Sequence, residues 1–234
     1  MAMLKTTVKD QLLDAALIHV AFDGWTEATF TAAVQDAGLE IGVARSACPR
    51  GALDLAITYH LHGDADMLVR YAQEDLSALR YSEKIATLVR FRLEAATDKE
   101  AVRRGTTLFA LPHHAADGAK LIWGTADAIW IALGDTSRDS NWYSKRATLS
   151  AVYSATVLFW LGDQSEDHAD TWAFLDRRIA DVMRIEKVKA QVNASPLLKP
   201  LLAGPKWALG LLKAPPEHPR DDLPGYLSGA SKTR

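Results

Sequence analysis

Cysteine is almost absent. Cys48 stands alone in 234 residues, which excludes an intramolecular disulfide framework and fits a reducing compartment. A long apolar run is missing too. The best spanning candidate, residues 147–162, is shorter than the ~20 residues a bilayer requires. It also carries Thr148, Ser150, Ser154 and Thr156, so no transmembrane helix is expected. The start of the chain holds Asp10 and Asp14 and no small-residue cleavage site, and it reads as a folded helix without a signal peptide. Neither sign of charge is in excess. A formal net charge of −2 gives no overall attraction to nucleic acid. Catalytic signatures are missing as well. There is no Gly-rich phosphate loop, no nucleophile elbow and no His-Glu-x-x-His pair. No Glu is followed three residues later by His, the spacing a di-iron bundle uses. His113–His114 is the one paired imidazole and has no carboxylate at ligand spacing, so it reads as a surface or capping pair. Cys48 has no helix-spaced His and reads as a small buried residue. The chain is expected to be no enzyme and to hold no metal and no cofactor.

What is present is helical periodicity. Leu12, Ala15, Ala16, His19 and Val20 line one face of a first helix over residues 8–22,. Gly24 breaks it, and Thr26 with Glu27 opens a second that runs to about Ala37. Gly38 ends that helix, and a short third is stopped by Pro49. Further helices are expected over 51–78, with an irregularity at His62–Asp64, and over 82–96, 99–110, 117–133, 141–161 and 168–193. Glu166–Asp167–His168 reads as the acidic first turn of the last of these. No alternating strand pattern of useful length occurs, so the fold class is all-α. The expected organisation is a three-helix unit over 1–50, a larger helical bundle over 51–194 and a distinct C-terminal segment over 195–234.

The front of the chain, "LLDAALIHVAFDGWTEATFTAAVQDAGLE" followed by "PRGALDL", resembles the N-terminal domain of TetR-type repressors. Binding a polyanion needs cations on that unit and donors on its recognition helix. Residues 1–54 instead hold four cations (Lys5, Lys9, Arg45, Arg50) against seven carboxylates, a net of −3. The third helix offers Glu40, Ile41, Val43 and Ala44. The unit is therefore read as structural, with no nucleic-acid partner; a ligand-sensing regulator is the alternative.

Residues 195–214 read "SPLLKPLLAGPKWALGLLKA". Lys199, Lys206 and Lys213 are seven apart, with leucines spread over the opposite face of a helix and Trp207 near the border. That pattern suits a helix lying in a membrane surface. Pro200 and Pro205 forbid one continuous helix, although Pro205 fits the first position of a shorter one. The residues expected to touch membrane are Leu201, Leu202, Lys206, Trp207, Leu209, Leu212 and Lys213; docking of this segment on its own protein is the alternative.

The centre of the chain carries the most specific pattern. In "SRDSNWYSKRATLSAVYSATVLFWLGDQSEDHADTWAFLDRRIADVM", the residues Asp139, Asn141–Trp142–Tyr143, Arg146, Tyr153, Thr156, Asp163, Ser165, Thr171–Trp172, Phe174–Leu175 and Arg178 resemble the ubiquinone-biosynthesis accessory proteins, the ninth member of the coenzyme Q synthesis set. The resemblance extends more weakly to both ends. It implies a TetR-like fold without the DNA role, a homodimer, and isoprenoid or quinone lipid bound in an apolar cavity. It further implies membrane contact through a C-terminal helix and presentation of demethoxyubiquinone to a di-iron hydroxylase. The positions matching the family's docking patch are Trp142, Tyr143 and Arg146, with Asp139 nearby. A cavity among the apolar central helices would be lined by Trp123, Ile129, Trp130, Leu149, Val152, Tyr153, Val157, Trp160 and Trp172. The start of the sequence carries no transit-type segment, so the implied place is the cytoplasm, peripheral on the inner face of a bacterial cytoplasmic membrane.

Overall fold

A computed structural model of the chain describes residues 7–138 and 140–194. Among them lie nine α-helices and no strand: α1 (Val8–Asp23), α2 (Glu27–Asp36), α3 (Ile41–Ala47), α4 (Ala52–Gln73), α5 (Tyr81–Glu94), α6 (Lys99–Phe109), α7 (Ala115–Ala132), α8 (Ser140–Gly162) and α9 (Ala169–Ala194). Local chemistry sets several ends. Thr7 and Asp10 form a reciprocal capping box at the start of α1,. The Thr26 side chain accepts from the Thr29 amide to open α2. The Asp98 carboxylate accepts from the amides of Glu100 and Ala101 to open α6,. Gly51 precedes α4 at φ +59°, and a β-carbon there would also meet the side chains of Arg45 and Glu27, so this turn needs glycine on two grounds.

Two hydrophobic cores result. One joins α1–α3 to the first turns of α4 and to α6, with Leu12, Val20, Phe30 and Leu55 fully buried. The other is built from α4, α5, α7, α8 and α9 around Met67, Leu88, Ile129 and Leu175. Helix α4 thus serves both cores, Val102 of α6 also packs against the second, and a cavity lies between the cores.

Two local expectations change. The irregularity at His62–Asp64 does not occur: α4 runs unbroken through it. Gly63 is there for space, since a β-carbon on it would stand 2.5 Å from the Arg92 guanidinium. Residues 166–168 are not the first turn of α9. They form a separate 3-10 turn with Asp167 and His168 at φ +50° and +57°, so the chain changes direction before α9 begins. The segment 195–234, and with it the whole membrane-contact set from Leu201 to Lys213, lies outside the described residues.

A cavity between the two cores and an aromatic surface beside it

A cavity of about 410 Å³ opens between the cores, with walls from α4, α5, α6, α7 and α8 and one corner from Trp25. Small residues make the room. Ala56 on α4, Ala101 and Gly105 on α6 and Gly118 on α7 all face it and are buried. Helices α6 and α7 approach so closely that a β-carbon on Gly118 would stand 2.7 Å from that of Phe109. Substitution there would push two backbones apart. Exposed members of the lining (Ala110, Ala115, Ala119 and Leu158) mark the mouth, and buried members (Arg92, Leu93, Leu121 and Tyr153) mark the floor. The volume falls within the range of ordinary small-molecule sites, which run from about 300 to 1,000 Å³.

The floor is polar in an otherwise apolar hole. Arg92, 5% exposed, donates from Nε to Asp64 Oδ1 at 2.6 Å and from Nη2 to the His60 carbonyl at 2.9 Å. The Thr125 hydroxyl lies 2.9 Å from Asp64 Oδ1 and 2.9 Å from His60 Nε2. Burial raises the Asp64 carboxyl, and the Arg92 guanidinium pulls it back. Burial, with Arg92 adding to it, pushes His60 down to about 3. His60 is therefore a neutral ring at physiological pH, and its 3.8 Å approach to the Asp64 carboxylate is a dipolar contact rather than an ion pair. Tyr59 donates to the Asp98 carbonyl at 3.2 Å.

The His60 shift has a consequence for stability. The unfolded chain takes a proton on this ring near pH 6.5 and the folded chain does not, so stability is lost as the pH falls below that value. Between pH 7 and pH 5 the loss amounts to about 2 kcal/mol. Urea unfolding at both pH values should show this loss in the wild-type protein and not in His60→Gln. An equal loss in both proteins would contradict the assignment.

Of the nine residues expected to line a cavity, Tyr153 and Val157 do so. Ile129, Trp130, Leu149, Val152 and Trp160 are packed in the bundle core, and Trp172 packs against it. Trp123 instead faces Trp142 and Tyr143, with ring centroids 5.8 and 6.4 Å away. The hole is displaced toward α4 and α6, because large apolar residues of α7 and α8 fill their own interface. The residues that reasoning from sequence missed are small or charged: Ala56, Arg92, Gly105 and Gly118. Their available signal was glycine in mid-helix, at 63 and 105, where it costs about 1 kcal/mol relative to alanine and therefore marks a close approach; Gly118 sits at the start of α7 and gave no such signal.

The start of α8 is built around a buried charge network. Arg146 is 2% exposed. It donates from Nε to Asp127 at 2.5 Å and from Nη1 to Asp135 at 3.2 Å and to the Trp142 carbonyl at 3.3 Å. Its guanidinium stacks 4.0 Å from the centroid of the Trp142 ring. Lys145 meets the other Asp135 oxygen at 2.6 Å. Burial opposes charge on Asp135, but Lys145, Ser137 and Arg146 together hold its carboxyl below the usual range. Of the positions that match the docking patch, Arg146 is therefore buried and not part of the surface. Trp142 and Tyr143 are half-buried at the surface, with Trp123 from α7 beside them, and Arg146 is the support beneath. Its partners are Asp127 and Asp135; Asp139 lies outside the described residues.

The far end of α8 is held by Asp163. This carboxylate accepts from the amides of Ser165 and Thr171 at 2.8 and 3.0 Å and from both hydroxyls. Those bonds hold its carboxyl well below the usual range,. Asp163, Ser165 and Thr171 thus form the joint between α8 and α9. At the other end of the molecule, α3 exposes Ile41 and Val43, and the Arg45 guanidinium is engaged by Glu27. That surface offers few donors to a nucleic acid.

Residues 115–186, from the start of α7 into α9, match the COQ9 family. The chain is 30% identical over 197 residues to the human protein named ubiquinone biosynthesis protein COQ9, mitochondrial, covering 80% of this chain and 61% of that protein. It is 28% identical over 195 residues to the probable ubiquinone biosynthesis protein coq9, mitochondrial, of Dictyostelium discoideum, covering 80% and 63% respectively. A COQ9-A protein of Xenopus laevis is 38% identical over 88 residues, covering 38% of this chain and 28% of that protein. The chain spans about three fifths of the human and Dictyostelium relatives. In three dimensions it is similar to the crystal structure of a TetR transcriptional regulator from Nitrosomonas europaea, with a TM-score of 0.61 and 20% identity over 74% of this chain and 95% of that one. That likeness establishes the TetR-like helical fold.

Proposed function

We propose that this chain, whose residues 115–186 match the COQ9 family, is a non-catalytic accessory protein of ubiquinone biosynthesis. It binds isoprenoid or quinone lipid and presents demethoxyubiquinone to the di-iron hydroxylase that acts on it. The observation that carries this reading is the cavity between the cores, walled mainly by apolar side chains and open at an apolar mouth. Such a volume excludes water from a greasy guest. The hydroxylase docks on the Trp142–Tyr143 surface, where aromatic area with polar tips suits an interface. Pairing with a second copy fits the apolar surface left on α8 and α9 at Leu158, Phe159 and Met183. None of the described helices is long and apolar enough to cross a membrane. Contact with the bilayer is assigned to the residues from Leu201 to Lys213, and the place of action to the inner face of a bacterial cytoplasmic membrane.

Solvent extraction and mass spectrometry of the purified full chain test the reading. Quinone or prenyl lipid is expected at close to one per protomer. Ala119→Trp, which plugs the mouth at an exposed position, is expected to reduce that amount at least about fivefold while the helical spectrum is unchanged. Protein that arrives empty and takes up no quinone from liposomes would overturn it.

A further inference from the structure

We infer that the turn between α6 and α7, residues 110–114, enters the bilayer surface and seats the cavity mouth on it, so that a lipid guest passes between membrane and protein without crossing water. This adds a second bilayer contact to the C-terminal one proposed above; it deepens the lipid-binding reading and rests on it.

The turn borders the mouth on both sides. Thr106, Phe109 and Ala110 line the cavity before it, and Ala115, Gly118 and Ala119 line it after. From Gly105 to Ala116 the chain carries no formal charge. Yet Ala110, Leu111, Pro112, His113, Ala115 and Ala116 are all exposed, Leu111 by 42%. Turns that face water are ordinarily polar. The charges at the borders of this stretch are engaged elsewhere. Both Asp117 oxygens accept from Arg50 at 3.2 Å, and Arg104 pairs with Glu100 and donates to the Ala21 carbonyl. Entry into lipid also demands that backbone groups be satisfied within the protein. The amides of Ala110, Leu111 and His114 donate to the carbonyls of Thr106, Leu108 and Leu111 at 3.1, 3.2 and 2.9 Å, and Pro112 has no N–H to satisfy. The rings of His113 and His114 meet edge to face, 4.1 Å between centroids. An imidazole has an apolar body and a polar tip, which suits the headgroup level.

A bilayer fits this surface better than a protein does. Protein interfaces are anchored by Trp, Tyr and Arg, and none of these occurs between Gly105 and Ala116. Such anchors sit at the start of α8, at Trp142 and Tyr143, whereas Leu158 at the mouth lies near the end of that helix. The apolar turn is continuous with the apolar mouth, so hydrocarbon that meets the turn meets the opening as well. The close approach of Phe109 and Gly118 pins the two helices that carry the turn, which fixes it relative to the mouth. Docking on lipid and opening toward lipid are then one event.

The experiment uses the full-length protein and vesicles of phosphatidylcholine and phosphatidylglycerol in equal parts. Leu111→Cys is labelled with an environment-sensitive nitrobenzoxadiazole group; Cys48 is buried and stays unlabelled. Ile18→Cys, exposed on α1, is the control. On addition of vesicles the label at position 111 is expected to brighten about threefold and to be quenched by lipids spin-labelled near the headgroup. The label at position 18 should do neither. In a second arm, Leu111→Glu is expected to take up a long-chain quinone from the vesicles roughly tenfold more slowly than wild type. It should bind a decyl-substituted benzoquinone added from solution as tightly as wild type does. A label at 111 that stays dim with vesicles would overturn the inference and leave lipid binding intact. So would one that is already bright without them, by assigning the turn to contact with a second copy, and so would wild-type uptake by Leu111→Glu. Insertion of the label in a protein that takes up no quinone would leave the bilayer contact standing and remove the lipid-binding reading beneath it.

Discussion

Arg92→Leu is expected to lower the stability of the protein by about 3–5 kcal/mol, because the substitution leaves the Asp64 carboxylate buried without its cation. Asp64 loses its hydrogen bond to Nε and keeps the Thr125 hydroxyl at 2.9 Å. One neutral donor does not offset the desolvation of a carboxylate. In a thermal melt followed by circular dichroism, the midpoint should fall by roughly 10 °C. The paired variant Arg92→Met/Asp64→Leu should recover most of that loss. A single variant as stable as wild type would mean that water reaches Asp64 freely from the cavity, and would contradict the closed floor.

The second large effect is expected at Arg146. Arg146→Glu puts a third carboxylate between Asp127 and Asp135 in a site where the arginine itself is 2% exposed. A loss of at least about 4 kcal/mol is expected, among the largest that single substitutions produce. The start of α8 should loosen with it, because the guanidinium also holds the Trp142 carbonyl and underlies the Trp142 ring. Arg146 variants therefore cannot separate docking from folding. Trp142→Ala can. It removes half-buried surface that touches Trp123 and Tyr143 and should cost the fold little. Capture of the purified hydroxylase should weaken at least about thirtyfold, the effect of losing an interface hot spot of 2 kcal/mol. A folded Trp142→Ala protein that binds the hydroxylase as tightly as wild type would remove this surface from the docking role. An Arg146→Glu protein with wild-type stability would remove the buried network.

Helix periods in the sequence were legible because each helix buries one face and its ends carry short-range caps. Thr7, Thr26 and Asp98 act within three residues of themselves, which is the range a sequence displays directly. The position of the hole was not legible. It depends on where two cores fail to meet, and that follows from relations such as Phe109 against Gly118 or Arg92 against Gly63, which no single helix reveals. The nine residues chosen for the lining were large and apolar, and in a close-packed interior such residues fill space and leave none. The fate of Arg146 was hidden for a similar reason. Its partners sit 11 and 19 positions earlier, at Asp135 and Asp127, across a break that gives no periodic signal. The joint after α8 was half legible. Asp163 and Ser165 carry the sequence signal, but the left-handed backbone at Asp167 and His168 is adopted by only a few per cent of non-glycine residues, so even residue types that favour it seldom predict it.

A guest bound in the cavity at the seam between two cores would be a keystone. A guest present at a hundred times its dissociation constant adds about 2.7 kcal/mol to the folded state. For a guest bound as proposed, that contribution would be shared by Trp25 at the corner of the first three helices and by Tyr153 in the middle of α8. Loading and unloading would then be felt by both halves of the molecule at once. Amide-exchange protection of α1–α3 would then be a gauge of whether the proposed cargo is aboard.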